Sequence, residues 1–336
     1  LYGAAGLKNL ITDISGLRVG HAHDEKIASG VTALIFDTPA IASIAVHGGA
    51  PGLRDTALLE PGMTVEQVDA LVLSGGSVYG LDSMGGTAAF LRESGRGFPV
   101  RDIRVPIVAG AILFDLLNGG DKNFGREPIY WHLGYRAAAA AEEDFPLGSV
   151  GAGLGATTQN LKGGLGSASA ITSGGFLVGA LAAVNAVGRA TIGSGPHFWA
   201  APYEKEGEFG GLGWPSPLPP GALDFRIKGD APENTTIAII ATDAALTKPE
   251  AKRLAVMAHD GMARALRPSH APMDGDTVFA AAAGTAARSV TIRDRAEIGH
   301  CAADCLARAI ARAVYEATPL PFEGALPSWH GRFEGR

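Results

Sequence analysis

Glu233-Asn234-Thr235-Thr236-Ile237-Ala238-Ile239-Ile240-Ala241 is the stretch on which the reading of this chain turns. Before it, residues 195–234 hold seven prolines and seven glycines among scattered aromatics and charges. After Asn234 the texture reverses: 235–241 is β-branched and apolar, the composition of a buried strand. A loop in a compact domain that is this long and this poor in regular structure is either a functional excursion or a linker. Read as structure alone, Thr235 simply opens a strand. Read as chemistry, Asn-Thr at a strand mouth permits self-cleavage. The Thr hydroxyl attacks the preceding carbonyl in an N-to-O acyl shift, and hydrolysis frees a Thr amine beside its own nucleophile. The local sequence leaves both readings open.

Downstream, Thr247-Lys248-Pro249-Glu250 has the form of a capping box, with Thr at the cap, Glu three residues later and Pro in the first turn. The helix that it opens puts Leu254, Ala258, Met262 and Leu266 on one stripe, and Pro268 ends it. A turn, Met273-Asp274-Gly275-Asp276-Thr277, leads into a small-residue strand at 278–283, and a last long helix is expected over 296–317. Upstream, 17–21, 31–36 and 42–46 read as strands of an antiparallel meander. Residues 65–68 read as a helical turn before a strand at 70–73, which Ser74-Gly75-Gly76-Ser77 connects to a helix over 78–91. Residues 167–172 and 176–185 read as paired strands. The order predicts an α/β (α+β layered) fold with mixed sheets and no solenoid-scale repeat.

Composition narrows the class. The 336 residues include 47 glycines and 58 alanines, without the Gly-x-y period of collagen. Hydrophobic residues at 46% against 18% charged can bury a core, which argues against disorder. A net charge of −6 without a basic patch or run excludes a nucleic-acid footprint. No apolar run reaches membrane-spanning length. Cys301 and Cys305, four residues apart in an Ala-rich helical stretch, read as free thiols in a reducing, cytoplasmic setting. The chain opens Leu1-Tyr2-Gly3 rather than with Met, which leaves room for a preceding segment.

Four motifs are weighed against plainer readings. Ser77 follows a strand as a hydrolase elbow nucleophile would, but Gly75-Gly76-Ser77-Val78-Tyr79 lacks the final glycine of that elbow. Gly76 and Ser77 therefore read as a helix start that lines a pocket, where exposed N–H groups receive an oxygen. Gly151-Ala152-Gly153-Leu154-Gly155-Ala156 spells a dinucleotide fingerprint, but a Thr-rich loop follows it where the fingerprint requires a helix. His21-Ala22-His23 lacks the further ligands of a metal site and reads as strand-edge histidines. Asp274-Gly275-Asp276 lacks the rest of a calcium loop, leaving a plain turn or paired carboxylates for acid–base work.

Taken together, 234–237, the capped helix and Ala271-Pro272-Met273-Asp274-Gly275-Asp276-Thr277-Val278-Phe279-Ala280 closely resemble the L-aminopeptidase/D-esterase family. That family includes β-aminopeptidases and endo-type nylon-oligomer hydrolases. Ser74-Gly75-Gly76-Ser77-Val78-Tyr79-Gly80-Leu81 and the 151–156 window resemble two more of its segments, so that the likeness covers nearly the whole chain. The resemblance implies an αββα sandwich similar to that of N-terminal-nucleophile hydrolases, in one autoprocessing domain. It implies self-cleavage between Asn234 and Thr235 into subunits of 234 and 102 residues (336 − 234 = 102). By family match Thr235 is the nucleophile, Asp274 and Asp276 orient its hydroxyl and amine, Asn185 and Tyr79 line the oxyanion or substrate pocket, and Lys162 lies near the nucleophile. No metal or organic cofactor is implied, and relatives assemble as tetramers of processed heterodimers or larger. Several aminopeptidase members have Ser in place of Thr235, and a β-aminopeptidase has Ser and Glu in place of Asp274 and Asp276. In both respects this chain is nearer the nylon-oligomer hydrolases. The expectation is an amide hydrolase for small peptides, amides or 6-aminohexanoate oligomers, with a narrower aminopeptidase/D-esterase/amidase as its enzymatic alternative. The alternative of another class is a non-covalent small-molecule or nucleotide binder.

Overall fold

The computed structural model describes residues 6–229 and 234–334. Eleven strands and five α-helices follow in order: β1 (Leu17–Asp24), β2 (Ser29–Val46), β3 (Gly52–Arg54), β4 (Gln67–Ser74), α1 (Ser83–Glu93), β5 (Phe98–Val100), β6 (Ile103–Val105), β7 (Val108–Ile112), α2 (Tyr130–Ala139), β8 (Gly164–Ile171), β9 (Leu177–Asn185), β10 (Thr235–Thr242), α3 (Lys248–Ala265), β11 (Thr277–Ala282), α4 (Ile292–Tyr315) and α5 (Trp329–Phe333). β5 and β6 form a separate hairpin. The other nine strands share hydrogen bonds in the order β3-β7-β4-β2-β11-β10-β9-β8, with β1 on β2.

Alternation along the strands turns that sheet into layers. In β10, Ala238 and Ile240 pack with α3 and α4 through Leu254, Ala258, Met262, Leu306 and Ile310. Ile237, Ile239 and Ala241 face the other way and meet Leu34, Phe36, Leu71 and Leu73 of β2 and β4. The opposite faces of β2 and β4, through Val31, Ala33, Ile35, Ala70 and Val72, receive Met84 and Leu91 of α1 and Leu133 and Ala137 of α2. The result is helices, sheet, sheet, helices: the expected αββα layering, with both faces of the central strands β4, β9, β10 and β11 buried.

One strand belongs to both sheet layers. The expected strands at 31–36 and 42–46 are a single β2, whose pairing with β4 shifts register between Ile35 and Ala40. The first half of β2 pairs with β1 and β4, and its last residues pair with β11. The irregular register lets the strand turn the corner between layers. The expected helical turn at 65–68 is absent, because from Gln67 onward this segment pairs with β2 and buries Val68 in the interlayer core. The helix expected from 78 begins as a 3₁₀ segment, Ser77–Asp82, before α1. The predicted capping box at Thr247 is present, and α4 starts earlier than expected at a second one, where Thr291 accepts from the Asp294 N–H. The described part of the Pro/Gly-rich excursion, 195–229, is held down by buried Arg308, which bonds Glu208, and by Phe198 and Phe209 in the core. Among the described residues no helix is long and apolar enough to cross a membrane.

The small-residue excess has a packing use where α1 crosses α2. A Cβ on Gly86 would lie 1.8 Å from the Trp131 carbonyl oxygen, and one on Gly134 would lie 2.0 Å from that of Ser83. The neighbouring Gly85 meets side chains rather than backbone, the Trp131 ring at 3.3 Å and Arg54 Nη1 at 3.6 Å. Gly86→Ala is therefore expected to destabilise the protein by about 2–3 kcal/mol through overpacking. Gly85→Ala is neutral or slightly stabilising, since alanine is the better helix former. Urea unfolding of the two variants checks this contrast.

Candidate active site

The sheet topology collects the site before any side chain is considered. β10 and β11 are parallel neighbours joined through α3, so both begin at the same end of the sheet. Thr235, the first residue of β10, therefore lies beside the Asp274-Gly275-Asp276 turn that feeds β11. Asn234 forms a parallel bridge with Asp274, and the Gly275 N–H donates to the Asn234 carbonyl at 3.0 Å. β9 runs antiparallel to β10, which brings its last residue, Asn185, opposite Thr235. Thus residues 185, 234–235 and 274–276, far apart in the sequence, share one edge.

Thr235 is buried, and its hydroxyl donates to the carbonyl oxygen of Asn234. That oxygen therefore receives both the Thr235 O–H and the Gly275 N–H. A Cβ at position 275 would lie 2.7 Å from Thr235 Oγ1, which explains the glycine between the two acids. Asp276 accepts from the Thr236 N–H at 2.8 Å through Oδ1, and from the N–H and Nδ1 of His270 through Oδ2. Asp274 Oδ2 accepts from Ala271 N–H at 3.0 Å, while its Oδ1 has no partner among the described residues. Burial, reinforced by the neighbouring Asp276 charge, pushes the Asp274 pKa up to about 7. The Asn234 side-chain oxygen and nitrogen are likewise buried without a partner among the described residues.

The second sheet layer adds a connected wall. Asn185 Nδ2 donates to the Phe114 carbonyl at 2.8 Å, and its Oδ1 accepts from Thr157 N–H and Lys228 Nζ. The next residue, Asp115, is fully buried and accepts from Ser29 Oγ and the Gly76 N–H. Burial raises its pKa, opposed by Lys122 and these hydrogen bonds. The Ser77 N–H donates to the Leu113 carbonyl, so the Gly76–Ser77 turn is pinned to the same short segment that holds Asn185. Lys162 is fully buried and gives its three N–H groups to the carbonyls of Gly153, Ala156 and Gly163. Burial pushes its pKa down to about 7, while three carbonyl acceptors are the partners an ammonium needs. It bridges through its backbone to Thr157, the residue bonded to Asn185, but bonds neither Thr235 nor an acid. Tyr79 stands further out, 43% exposed and edge-on to Phe124.

Of the positions singled out in the sequence, 234–235, 274–276 and 185 come together at one sheet edge, Lys162 lies behind Asn185, and Tyr79 stands apart. Asp115, Lys228, His47 and His270, which border the same edge, were not singled out. Asp115 was visible only as a lone acid ending an apolar run, and the two histidines carry no motif spacing. The other two motifs occupy ordinary structural places. Gly151–Gly153 forms a 3₁₀ turn, and His21 and His23 on β1 contact Thr32 and the Gly151 N–H.

The layers are those of the N-terminal-nucleophile type of hydrolase fold. Residues 9–325 match peptidase family S58, and the chain belongs to that family. An uncharacterized aminopeptidase of Mycobacterium tuberculosis (strain ATCC 25618 / H37Rv) is 40% identical over 97% of this chain and 98% of its own. A 6-aminohexanoate-oligomer endohydrolase of Kocuria sp. (strain KY2) is 26% identical over 82% of this chain and 76% of its own. The solved L-aminopeptidase D-Ala-esterase/amidase of Ochrobactrum anthropi, described as a new variant of the Ntn hydrolase fold, superposes with a TM-score of 0.71 at 21% identity. It covers 98% of this chain and 93% of that one. This protein is a hydrolase acting on peptide or amide bonds.

The raised Asp274 pKa has a stability consequence with a definite sign. The folded chain holds this proton up to about pH 7, whereas the unfolded chain releases it near 4, so stability falls as pH rises through that window. In an uncleavable Thr235→Ala background, Asp274→Asn is expected to be nearly neutral at pH 4. It should become stabilising by about 3 kcal/mol at pH 8. Urea unfolding at the two pH values measures the difference, and a difference that does not change with pH contradicts the assignment.

Proposed function

We propose that this chain is a self-processing amide hydrolase whose nucleophile is Thr235. The observation that carries the reading is the Thr235 hydroxyl lying on the carbonyl oxygen of its own Asn234–Thr235 peptide bond. Attack of Oγ1 on the Asn234 carbonyl carbon gives a tetrahedral oxyanion, which the Gly275 N–H is placed to receive. Collapse breaks the C–N bond, the nitrogen takes up the hydroxyl proton, and an Asn234–Oγ ester remains. Water then hydrolyses the ester to an Asn234 carboxylate and a free Thr235 with amine and hydroxyl. The products are a 234-residue and a 102-residue subunit of one domain.

Cleavage also changes the local charge. The intact chain buries Asp274 and Asp276 side by side, and burial with the Asp276 charge raises the Asp274 pKa to about 7. A new Thr235 ammonium beside them favours their ionised forms, and its deprotonated fraction serves as the base that activates the hydroxyl. In turnover, Oγ1 attacks the substrate carbonyl, the departing amine takes the proton, and water releases the acyl group from Thr235. Asn185 has a second amide N–H beyond the one given to Phe114, which can face the oxyanion. Lys162 and Asp115 support the wall behind it, and Gly76, Ser77 and Tyr79 border the substrate side.

The substrate class is small peptides, amides or short oligoamides, including 6-aminohexanoate oligomers. The aminopeptidase reading draws on the more similar relatives, at 40% identity against 26% for the oligomer hydrolase. No metal or organic cofactor takes part in this sequence of steps. The processed enzyme is expected to be a homo-oligomer, a tetramer of heterodimers.

Turnover of aminoacyl amides and of linear 6-aminohexanoate oligomers, followed by release of free amine, tests the assignment. Thr235→Ala is expected to lose at least about 10³-fold in kcat/KM on every substrate, and Thr235→Ser to retain measurable turnover. An undiminished Thr235→Ala enzyme contradicts the proposal.

A further inference from the structure

Three histidines from three separate segments meet next to this site. His47 follows β2, His259 lies on α3 and His270 precedes the Asp274 turn. Each offers a ring nitrogen, and the three ligand atoms lie within 4.8 Å of one another. The His47 and His259 rings stack at 3.7 Å, with the His270 ring 5.3 and 5.0 Å from them and nearly perpendicular.

The second ring nitrogens of the two inner histidines are already committed. His259 Nε2 lies 3.0 Å from the Ala45 carbonyl, an acceptor, so this nitrogen carries the hydrogen. Its Nδ1 is left with a lone pair, buried and without a partner among the described residues. His270 directs Nδ1 at Asp276 Oδ2, 2.8 Å away, and its backbone N–H bonds the same oxygen. That double contact holds the residue in the left-handed region, at φ 58°, and leaves Nε2 as the free nitrogen. A carbonyl behind one histidine and a carboxylate behind another are the outer partners that metal-ligating imidazoles use to fix tautomer and aim. Burial keeps His259 neutral, with its pKa pushed down to about 4, and burial and then His270 push His47 down as well. Asp260 and Asp276 contribute negative charge at His47.

We propose that His47, His259 and His270 form a binding site for a zinc-class divalent cation, distinct from the hydrolytic chemistry and coupled to it through Asp276. Three imidazole nitrogens suit Zn²⁺, Co²⁺, Ni²⁺ or Cu²⁺ rather than Mg²⁺ or Ca²⁺. A tetrahedral ion with metal–nitrogen bonds of about 2.0–2.1 Å needs its ligand atoms about 3.3 Å apart. Closure therefore takes a shift of about 1–2 Å, which His47, exposed at the protein surface, can supply by rotating its ring. The ion ties the end of β2, α3 and the 267–277 loop together. Through the His270–Asp276 bond it also holds the carboxylate that accepts from the Thr236 N–H. This inference deepens the site reading above, but its test does not depend on catalysis.

The experiment is titration of metal-stripped protein with Co²⁺, read by visible absorption and by equilibrium dialysis, for the wild type and His47→Ala. Because His47 is exposed, the variant is expected to keep the wild-type melting temperature without metal. The wild type should bind one Co²⁺ per chain with tetrahedral ligand-field bands and melt higher with Zn²⁺ present. His47→Ala should bind at least about 100-fold more weakly and lose the Zn²⁺-dependent rise. Absence of stoichiometric binding by the wild type, or equal binding by the variant, overturns the proposal. A second arm follows amide hydrolysis with and without Zn²⁺. A Zn²⁺ effect on the wild-type rate that chelation reverses and His47→Ala lacks supports the coupling, and an effect that the variant shares overturns it. If hydrolysis is absent altogether, the function reading fails while the binding result still stands or falls alone.

Discussion

The parallel pairing of β10 with β11 is the constraint on which the rest depends. Two parallel neighbours must start at the same edge, so the chain that enters β10 at Thr235 meets the turn that enters β11 at Thr277. That meeting places an amide N–H from Gly275 on the Asn234 carbonyl and two carboxylates around it. It also demands a residue without a Cβ at 275, because the Thr235 side chain fills that space. Antiparallel β9 then delivers Asn185 to the same edge without further provision.

The second layer is tied to the first through one strand and one short wall. β2 turns the corner between layers, and both of its ends come back to the site. Ser29 bonds Asp115, and the His47 N–H donates to the Asp276 carbonyl. Asp115, Phe114 and Asn185 bridge the gap between them. Buried polar groups are costly unless paired, and this concentration of acids, a lysine and amides at a sheet edge is what makes it the candidate site. The Asn234 and Asp274 atoms without a partner among the described residues lie at the bond proposed to break.

Much of this was legible in the sequence, for physical reasons that differ by element. The Thr247 capping box and the β-branched apolar run at 235–241 are local signals, and both elements formed where expected. The joining of 31–36 to 42–46 was not legible, since Asp37-Thr38-Pro39 resembles a turn and only pairing with β4 on both sides keeps the strand continuous. The segment 65–68 has two valines at helical spacing, yet its partners make it a strand. In the site, the Asp-Gly-Asp turn carries a local signature. Asp115, Lys228 and the histidine trio do not, because their meaning arises only from long-range pairing of strands. The glycine excess has acquired a use at Gly86, Gly134 and Gly275, where another backbone or the Thr235 side chain occupies the place of a side chain.

The central claim is that the Asn234–Thr235 bond is broken by Thr235 itself. Intact mass and N-terminal sequencing of the purified wild-type protein under denaturing conditions test it most directly. The account predicts two polypeptides that meet at this bond, the smaller starting at Thr235 and holding 102 residues, both replaced by one uncut chain in Thr235→Ala. A wild-type protein that remains a single chain while hydrolysing amides at full rate contradicts it.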